Sequence, residues 1–88
     1  MSAIDEVKKI VAEGKAVIGT KEVLKGLKKN TIEKVFISLN CPVSVKKDLQ
    51  HYASIADAEV VALKQPNDEL GIVCKKQFSI SVMGLKRE

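Results

Sequence analysis

The sequence predicts an α/β fold, a three-layer α-β-α sandwich in which helices cover both faces of a four-stranded mixed sheet. Apolar segments with helical periodicity alternate with short runs of β-forming residues, in the order α-β-α-β-α-β-α-β. The connections are only a few residues long, which favours helices layered on a sheet. Repeated β-α-β crossovers favour parallel pairing among most of the strands. At 88 residues, we expect a single domain spanning residues 1–88.

The first helix is amphipathic, and we expect it to have a structural role. Its apolar side chains recur at helical spacing at Ile4, Val7, Ile10 and Val11. Ser2 is the expected N-cap, and Gly14 is expected to end the helix. A short apolar strand follows at residues 16–18.

The strand-to-helix corner at Gly19 and Thr20 is the segment best suited to binding a ligand. We expect Thr20 to cap a second helix from about residue 21 to residue 29, with Asn30 as its stop. Glycine lets a ligand approach the backbone closely, and the free amides of a first helical turn attract anions. The corner therefore predicts a phosphate site. An ordinary solvated basic helix is the alternative.

The second half of the chain supplies two more helices and three strands. Residues 34–39 are β-formers without clean alternation, which predicts a central strand covered on both faces. Pro42 breaks that strand, and Ser44 is the expected cap of a third helix. The last three elements are expected as a strand at residues 58–63, a short helix capped by Asn67, and a final strand at residues 78–82.

Three of the connections should meet at one end of the sheet, where ligands of such folds usually bind. They are expected to be Gly19–Thr20, Asn40–Ser44 and Cys74–Phe78. The last of these joins Phe78 to the basic pair Lys75–Lys76. An aromatic ring beside basic side chains is typical of proteins that bind single-stranded or distorted RNA. The alternative is that Phe78 and Ile80 are core residues on one face of the last strand.

The distribution of charge also favours a nucleic-acid partner. The formal net charge is +4, and the positive excess lies in residues 1–40 and 70–88, while residues 41–69 are net acidic. This asymmetry favours a polyanionic partner such as nucleic acid. The chain has no long apolar run and no signal-peptide pattern at its start, so we expect a cytoplasmic protein without a membrane contact.

An enzyme is not indicated. His51 is the only histidine, and neither cysteine has a local base. No phosphate-binding glycine motif occurs. Cys41 and Cys74 lie outside any metal or disulfide spacing, and no heptad pattern occurs, so we expect reduced thiols, no metal or other cofactor, and a monomer.

Several segments taken together carry a resemblance through nearly the whole chain. They are Gly19–Thr20–Lys21–Glu22 with Lys25, Asn40–Cys41–Pro42 followed by Lys47 and residues 49–53, residues 67–71, and the pair Phe78 and Ile80. In this order and spacing they resemble the kink-turn RNA-binding superfamily of ribosomal proteins, of the L7Ae/L30e type. The similarity is greatest to the L30e branch of archaeal and eukaryotic large subunits. Departures include Cys41, where a small hydroxyl residue is common, and Lys75 in place of a glycine.

The resemblance implies a role for each of these segments on a sharply bent RNA with tandem sheared G·A pairs next to a bulge. It assigns Gly19 and Thr20 to backbone approach, Lys21 and Glu22 to guanine edges, and Lys25 to a phosphate. The second loop would support a further contact, and Phe78 with Ile80 would form an apolar platform. The expected RNA-binding residues are Gly19, Thr20, Lys21, Glu22, Lys25, Lys28, Asn40, Cys41, Pro42, Lys47, Lys76, Phe78, Ser79 and Ile80.

The resemblance implies a structural component of the large ribosomal subunit, bound to ribosomal RNA. Two alternatives stay open: a protein-interaction adaptor on the same fold, and a kink-turn binder in another ribonucleoprotein. The end at Glu88 favours an archaeal source, since eukaryotic members are expected to be longer.

Overall fold

The computed structural model describes residues 3–87, and in them the predicted order of helices and strands is confirmed. The elements are α1 (Ala3–Ala12), β1 (Ala16–Ile18), α2 (Thr20–Lys28), β2 (Ile32–Ile37), α3 (Val43–Ile55), β3 (Glu59–Ala62), α4 (Asn67–Val73) and β4 (Val82–Lys86). Ser2, the expected cap of α1, lies outside the described residues.

The four strands form one mixed sheet in the order β1-β4-β2-β3. Among the strands described, β2 and β3 are the one parallel pair, whereas β4 is antiparallel to both of its neighbours. The expectation of mostly parallel pairs was therefore wrong. After the short helix α4, residues 77–81 run back along it, so that Ile80 donates its backbone N–H to the carbonyl of Asn67 at the start of the helix (3.0 Å). The chain thus enters β4 at the edge where the other strands end.

Two apolar layers hold the helices to the sheet, one on each face, which confirms the three-layer sandwich. Helices α2 and α3 pack on one face, where Val35, Ile37 and Val82 are buried. Helices α1 and α4 pack on the other, where Phe36 and Met83 are buried. Neighbouring residues of a strand point to opposite faces, so β2 supplies both layers and is the central strand predicted.

All four helices end in the same way, with one residue in the left-handed conformation: Gly14, Asn30, Asp57 and Lys75. At each end the next backbone N–H bonds to a carbonyl five residues earlier, as when Lys76 donates to Gly71 (2.9 Å). This is the Schellman pattern, which satisfies the last helical carbonyls. It confirms Gly14 and Asn30 as helix ends.

The helix starts differ from the predicted caps. Thr20, Ser44 and Asn67 each lie inside the first turn, and the N-caps are Gly19, Pro42 and Pro66. These three caps contribute no side-chain hydrogen bond. Each N-cap thus lies one or two residues before the polar side chain predicted to cap the helix.

The last strand begins four residues later than predicted. Val82–Lys86 pairs with both β1 and β2, and Gly84 lies in the middle of these pairs. An added Cβ at Gly84 would approach side-chain atoms of Val23 and Ile32 to 3.3 Å, so the strand passes close beneath α2. Residues 78–81 alternate apolar and polar as a strand does, but they form the entry loop instead.

Candidate functional site

Four chain segments meet at one end of the sheet, where β1, β2 and β3 end and β4 begins; we call this the loop end. Backbone hydrogen bonds join the segments directly. Gly19 donates to the carbonyl of Val82 (3.1 Å), and Ser38 donates to that of Ser81 (2.9 Å). Helices α2, α3 and α4 all start here, since each follows a strand that ends at this edge.

Two asparagine side chains link the β2–α3 connection to the β3–α4 connection. The Asn40 amide nitrogen donates to the Asn67 side-chain oxygen (3.1 Å), and the Asn67 backbone N–H donates to Asn40 Oδ1 (2.9 Å). The Ser38 hydroxyl also donates to Asn40 Oδ1 (3.3 Å). Asn40 was expected to support a contact with RNA, and in the structure its side chain fixes one loop against another. We call this pair of residues the asparagine clasp.

The corner at Gly19 has the geometry of an anion site. Gly19 has φ +106°, a conformation that side chains rarely adopt, although nothing lies within 4 Å of where its Cβ would be. The requirement for glycine is therefore conformational. The first amides of α2 have no intrahelical acceptor, and the cap supplies no side-chain acceptor either. Such free amides are the groups that bind a phosphate at a helix start.

The expected charged residues of α2 are exposed around this corner. Lys21, Glu22 and Lys25 are solvent-exposed, and within residues 3–87 no ion-pair partner lies near any of them. Glu22 and Lys25 also line one groove along the side of α2.

Lys28 and Lys47 lie outside this cluster. The Lys28 ammonium sits over the Tyr52 ring of α3, 5.1 Å from its centroid. Tyr52 in turn contacts the ring of His51 edge to face, at 5.2 Å between centroids. A cation over an aromatic face is attracted by the ring's quadrupole, so Lys28 leans towards α3. Lys47 is exposed in the second turn of α3, close to Pro42 in sequence.

Two of the expected contact residues are buried instead. Ile80 is 2% exposed and packs in the layer under α1 and α4, so the expected role in an apolar platform is wrong for Ile80. Cys41 is also buried, under α3. Phe78 is 59% exposed, so the two residues do not share a face and Phe78 alone is available for stacking.

Both cysteines are free and lie on opposite faces of the sheet. Burial raises the pKa of each thiol, and a nearby lysine, Lys46 for Cys41 and Lys76 for Cys74, lowers it by less. The Cys74 sulfur lies 3.7 Å from that of Met83, within the core. Both side chains are therefore neutral packing groups at neutral pH.

Lys76 and Phe78 line a shallow cleft of about 280 Å³ beside α4. The cleft does not lie among the strand ends, because Lys76 bonds to Gly71 in the last turn of α4 while Ile80 bonds to Asn67 in the first turn. The connection Cys74–Phe78, expected at the loop end, therefore does not lie there as a whole. Its basic part lies at the far end of α4, and the exposed Ser79 leads from it back to the loop end.

Sequence reasoning missed two features of this region. Gly71 lies against the return segment, and its added Cβ would fall 2.2 Å from the Phe78 carbonyl oxygen. Leu39 and Val43 are 65% and 66% exposed beside the asparagine clasp. The sequence around Leu39 gave no signal that this residue, two positions after the end of a largely buried strand, would be exposed.

The described part of the chain shows neither a cluster of metal ligands nor a membrane-spanning helix. Residues 3–87 contain no cluster of three or more side chains suited to holding a metal ion. None of the helices between residues 3 and 87 has the length and apolar character needed to cross a membrane.

Comparisons with known proteins give a consistent result. The model of the ribosomal protein L7Ae/L30e/S12e/Gadd45 family matches residues 1–88. The large ribosomal subunit protein eL30 of Tetrahymena thermophila is 36% identical over 76 residues, which cover 86% of this chain and 73% of the relative. The eL30 protein of Sulfolobus acidocaldarius is 31% identical over 94% of this chain and 80% of its own.

Solved structures share the fold at lower identity. A protein of unknown function from Bacillus halodurans superimposes with a TM-score of 0.85 at 18% identity, over 96% of this chain and 83% of its own. The 15.5 kD RNA binding protein of Giardia lamblia gives a TM-score of 0.85 at 19% identity, over 97% of this chain and 71% of its own.

Proposed function

Because the chain belongs to the ribosomal protein L7Ae/L30e/S12e/Gadd45 family, we propose that it binds a kink-turn RNA as a structural component of the large ribosomal subunit. Its relatives are named as ribosomal proteins, which confirms the expectation that it is not an enzyme. We further propose that it is a single-domain, cytoplasmic, ribosome-associated protein and a monomer when free. An archaeal source stays a prediction.

The observation that carries the proposal is the α2 corner. Free amides, two exposed lysines and one exposed carboxylate surround a glycine in a conformation that suits close approach of a ligand backbone. Phosphates attract the amides and lysines but repel Glu22. The carboxylate therefore needs a donor in the ligand, and the exposed N–H groups of a guanine in a sheared G·A pair provide one.

The rest of the loop end fits the same ligand. The asparagine clasp holds the β2–α3 and β3–α4 connections in place before RNA arrives, which lowers the ordering cost of binding. Phe78 offers an exposed ring on which a base displaced from the helix can stack. Lys47 and Lys76 would contribute phosphate contacts at the margins of the site.

Binding to a kink-turn RNA tests the proposal, with the same strands redesigned as an unbent duplex for comparison. We expect markedly tighter binding to the kink-turn at one fixed salt concentration, since only the bend exposes the guanine edges. Equal affinity for both RNAs would contradict kink-turn recognition. Pull-down from a native extract with and without RNase addresses the adaptor alternative, because partners retained after RNase would be protein contacts.

A further inference from the structure

A groove of about 330 Å³ runs along α2, away from the loop end, and the proposed contacts at the corner do not fill it. Glu22 and Lys25 line its near part. Lys29, Lys86 and Arg87 line its far part, beyond the C-terminal end of α2. At the helical rise, Lys21 and Lys29 are separated by about 12 Å along the helix axis. The groove therefore continues the corner in one direction.

The groove is strongly basic. Among the residues described at its walls, four are cations and one, Glu22, is a carboxylate. Within the described residues, no ion pair involves Lys25, Lys29 or Lys86. The C-terminal end of a helix repels anions, but here Thr31 occupies the Gly26 carbonyl through its backbone N–H (2.8 Å) and its hydroxyl (3.2 Å).

Arg87 is held in place at the far part of the groove. Its Nη2 donates to the carbonyls of Ile32 (3.1 Å) and Ala56 (3.0 Å), and its backbone N–H donates to that of Thr31 (2.7 Å). A guanidinium has five N–H donors, so three stay available after these contacts. A fixed cation with free donors binds a phosphate at little cost in side-chain entropy.

From this arrangement we infer that the groove binds backbone phosphates of one helical arm of the RNA beyond the bend. The inference rests on the proposed function, because the groove begins at residues of the proposed corner. A row of exposed cations in an open groove suits a linear array of phosphates. A compact anion would call for donors converging on one enclosed point.

The test compares two double variants. One, the groove pair, combines Lys29→Gln and Lys86→Gln, and the other, the control pair, combines Lys8→Gln and Lys9→Gln on α1. Both pairs remove two exposed positive charges and leave the buried layers intact. Each protein is titrated at several salt concentrations with a kink-turn RNA carrying two long arms. Two further RNAs have one arm or the other cut back to the pairs next to the bend.

We expect the groove pair to weaken binding to the long-armed RNA several-fold, and its salt slope to fall by about two units. Cutting back one particular arm should abolish the difference between the groove pair and the native protein. An equal loss on all three RNAs, or a loss equal to that of the control pair, would overturn the inference. Failure of the native protein to prefer kink-turn RNA would instead refute the proposed function, and the inference with it.

Discussion

Asn40 and Asn67, 27 residues apart in sequence, are joined by two hydrogen bonds at the loop end, one in each direction. The two bonds are unequal in kind. Asn40 accepts from a backbone N–H, which any residue except proline would still provide at position 67, while Asn67 accepts only through its side chain. The clasp therefore depends more on Asn40 than on Asn67.

Replacing the two asparagines singly should reveal this asymmetry. We expect Asn40→Ala to lower the free energy of unfolding by about 1–2 kcal/mol, since it removes both bonds with Asn67 and the bond from the Ser38 hydroxyl. Asn67→Ala should cost less, because it removes only the bond that the Asn67 side chain accepts. The double variant should cost about as much as Asn40→Ala alone, because the shared bond is counted once. Denaturant unfolding of the four proteins measures this. Equal single effects that add in the double variant would contradict the clasp.

Lys75 is strained where it ends α4. It has φ +59°, in the left-handed region that disfavours side chains with a Cβ. We expect Lys75→Gly to raise the free energy of unfolding by about 1 kcal/mol, because glycine adopts this conformation without penalty. Lys76→Gly is the matched control, since the described positive-φ residues do not include Lys76. That control should destabilise the protein slightly, and thermal unfolding distinguishes the two signs.

Lys34 ties three elements together on the α1 side of the sheet. Its ammonium lies 2.7 Å from a Glu6 carboxylate oxygen on α1 and 3.0 Å from one of Glu59 on β3. The hydrogen bond that Lys34 donates to Glu6, and then the one that it donates to Glu59, raise the pKa of Lys34 despite an opposing effect of burial. The folded state thus holds this proton more tightly than the unfolded chain does.

Stability linked to Lys34 should therefore depend on alkaline pH. A raised pKa stabilises the fold fully below the pKa of an unfolded lysine, and this contribution is lost as pH rises through the folded value. We expect the native protein to lose more stability in that range than Lys34→Met does. Lys64→Met, which removes an exposed lysine without an ion pair among the described residues, should behave like the native protein. Urea unfolding at a series of alkaline pH values provides the comparison.

The sequence predicted the elements well because periodicity and helix-ending residues are local. Asn30 and Gly14 end helices as expected, and β2 is central because its apolar residues are continuous. The direction of a strand in the sheet, in contrast, is not set by its local sequence. The reversal of β4 follows a return segment that packs against Gly71, a contact between residues that no sequence pattern joins. The same return buries Ile80 and exposes Phe78, so half of the expected platform was misplaced.

Lys25 and Lys21 are expected to differ in what they contact. Lys25→Ala should weaken binding to kink-turn and plain duplex RNA alike and lower the salt slope by about one unit, as the loss of one phosphate contact requires. Lys21→Ala should act mainly on the kink-turn, because the resemblance places Lys21 nearer the bases. Lys8→Ala on α1 is the control for charge alone. An unchanged affinity and slope for Lys25→Ala would mean that α2 presents only a solvated face.

Glu22 gives the sharpest test, because electrostatics and base recognition predict opposite signs. Glu22 is exposed, and in the described part of the chain no cation pairs with it. Removing it from a purely electrostatic surface should tighten RNA binding. If Glu22 accepts hydrogen bonds from a guanine, Glu22→Ala should instead cost about 1–3 kcal/mol on a kink-turn, since the donors are left desolvated and unpaired.

The same substitution should be neutral or mildly favourable on a plain duplex, where only charge matters. Titrating both proteins against both RNAs at one salt concentration isolates the interaction between Glu22 and the bend as a cycle. Glu33→Ala, which removes an exposed carboxylate from a groove beside α1, controls for net charge and should tighten binding to both RNAs slightly. If Glu22→Ala tightens kink-turn binding as that control does, Glu22 reads no base, and the α2 corner is an electrostatic surface alone.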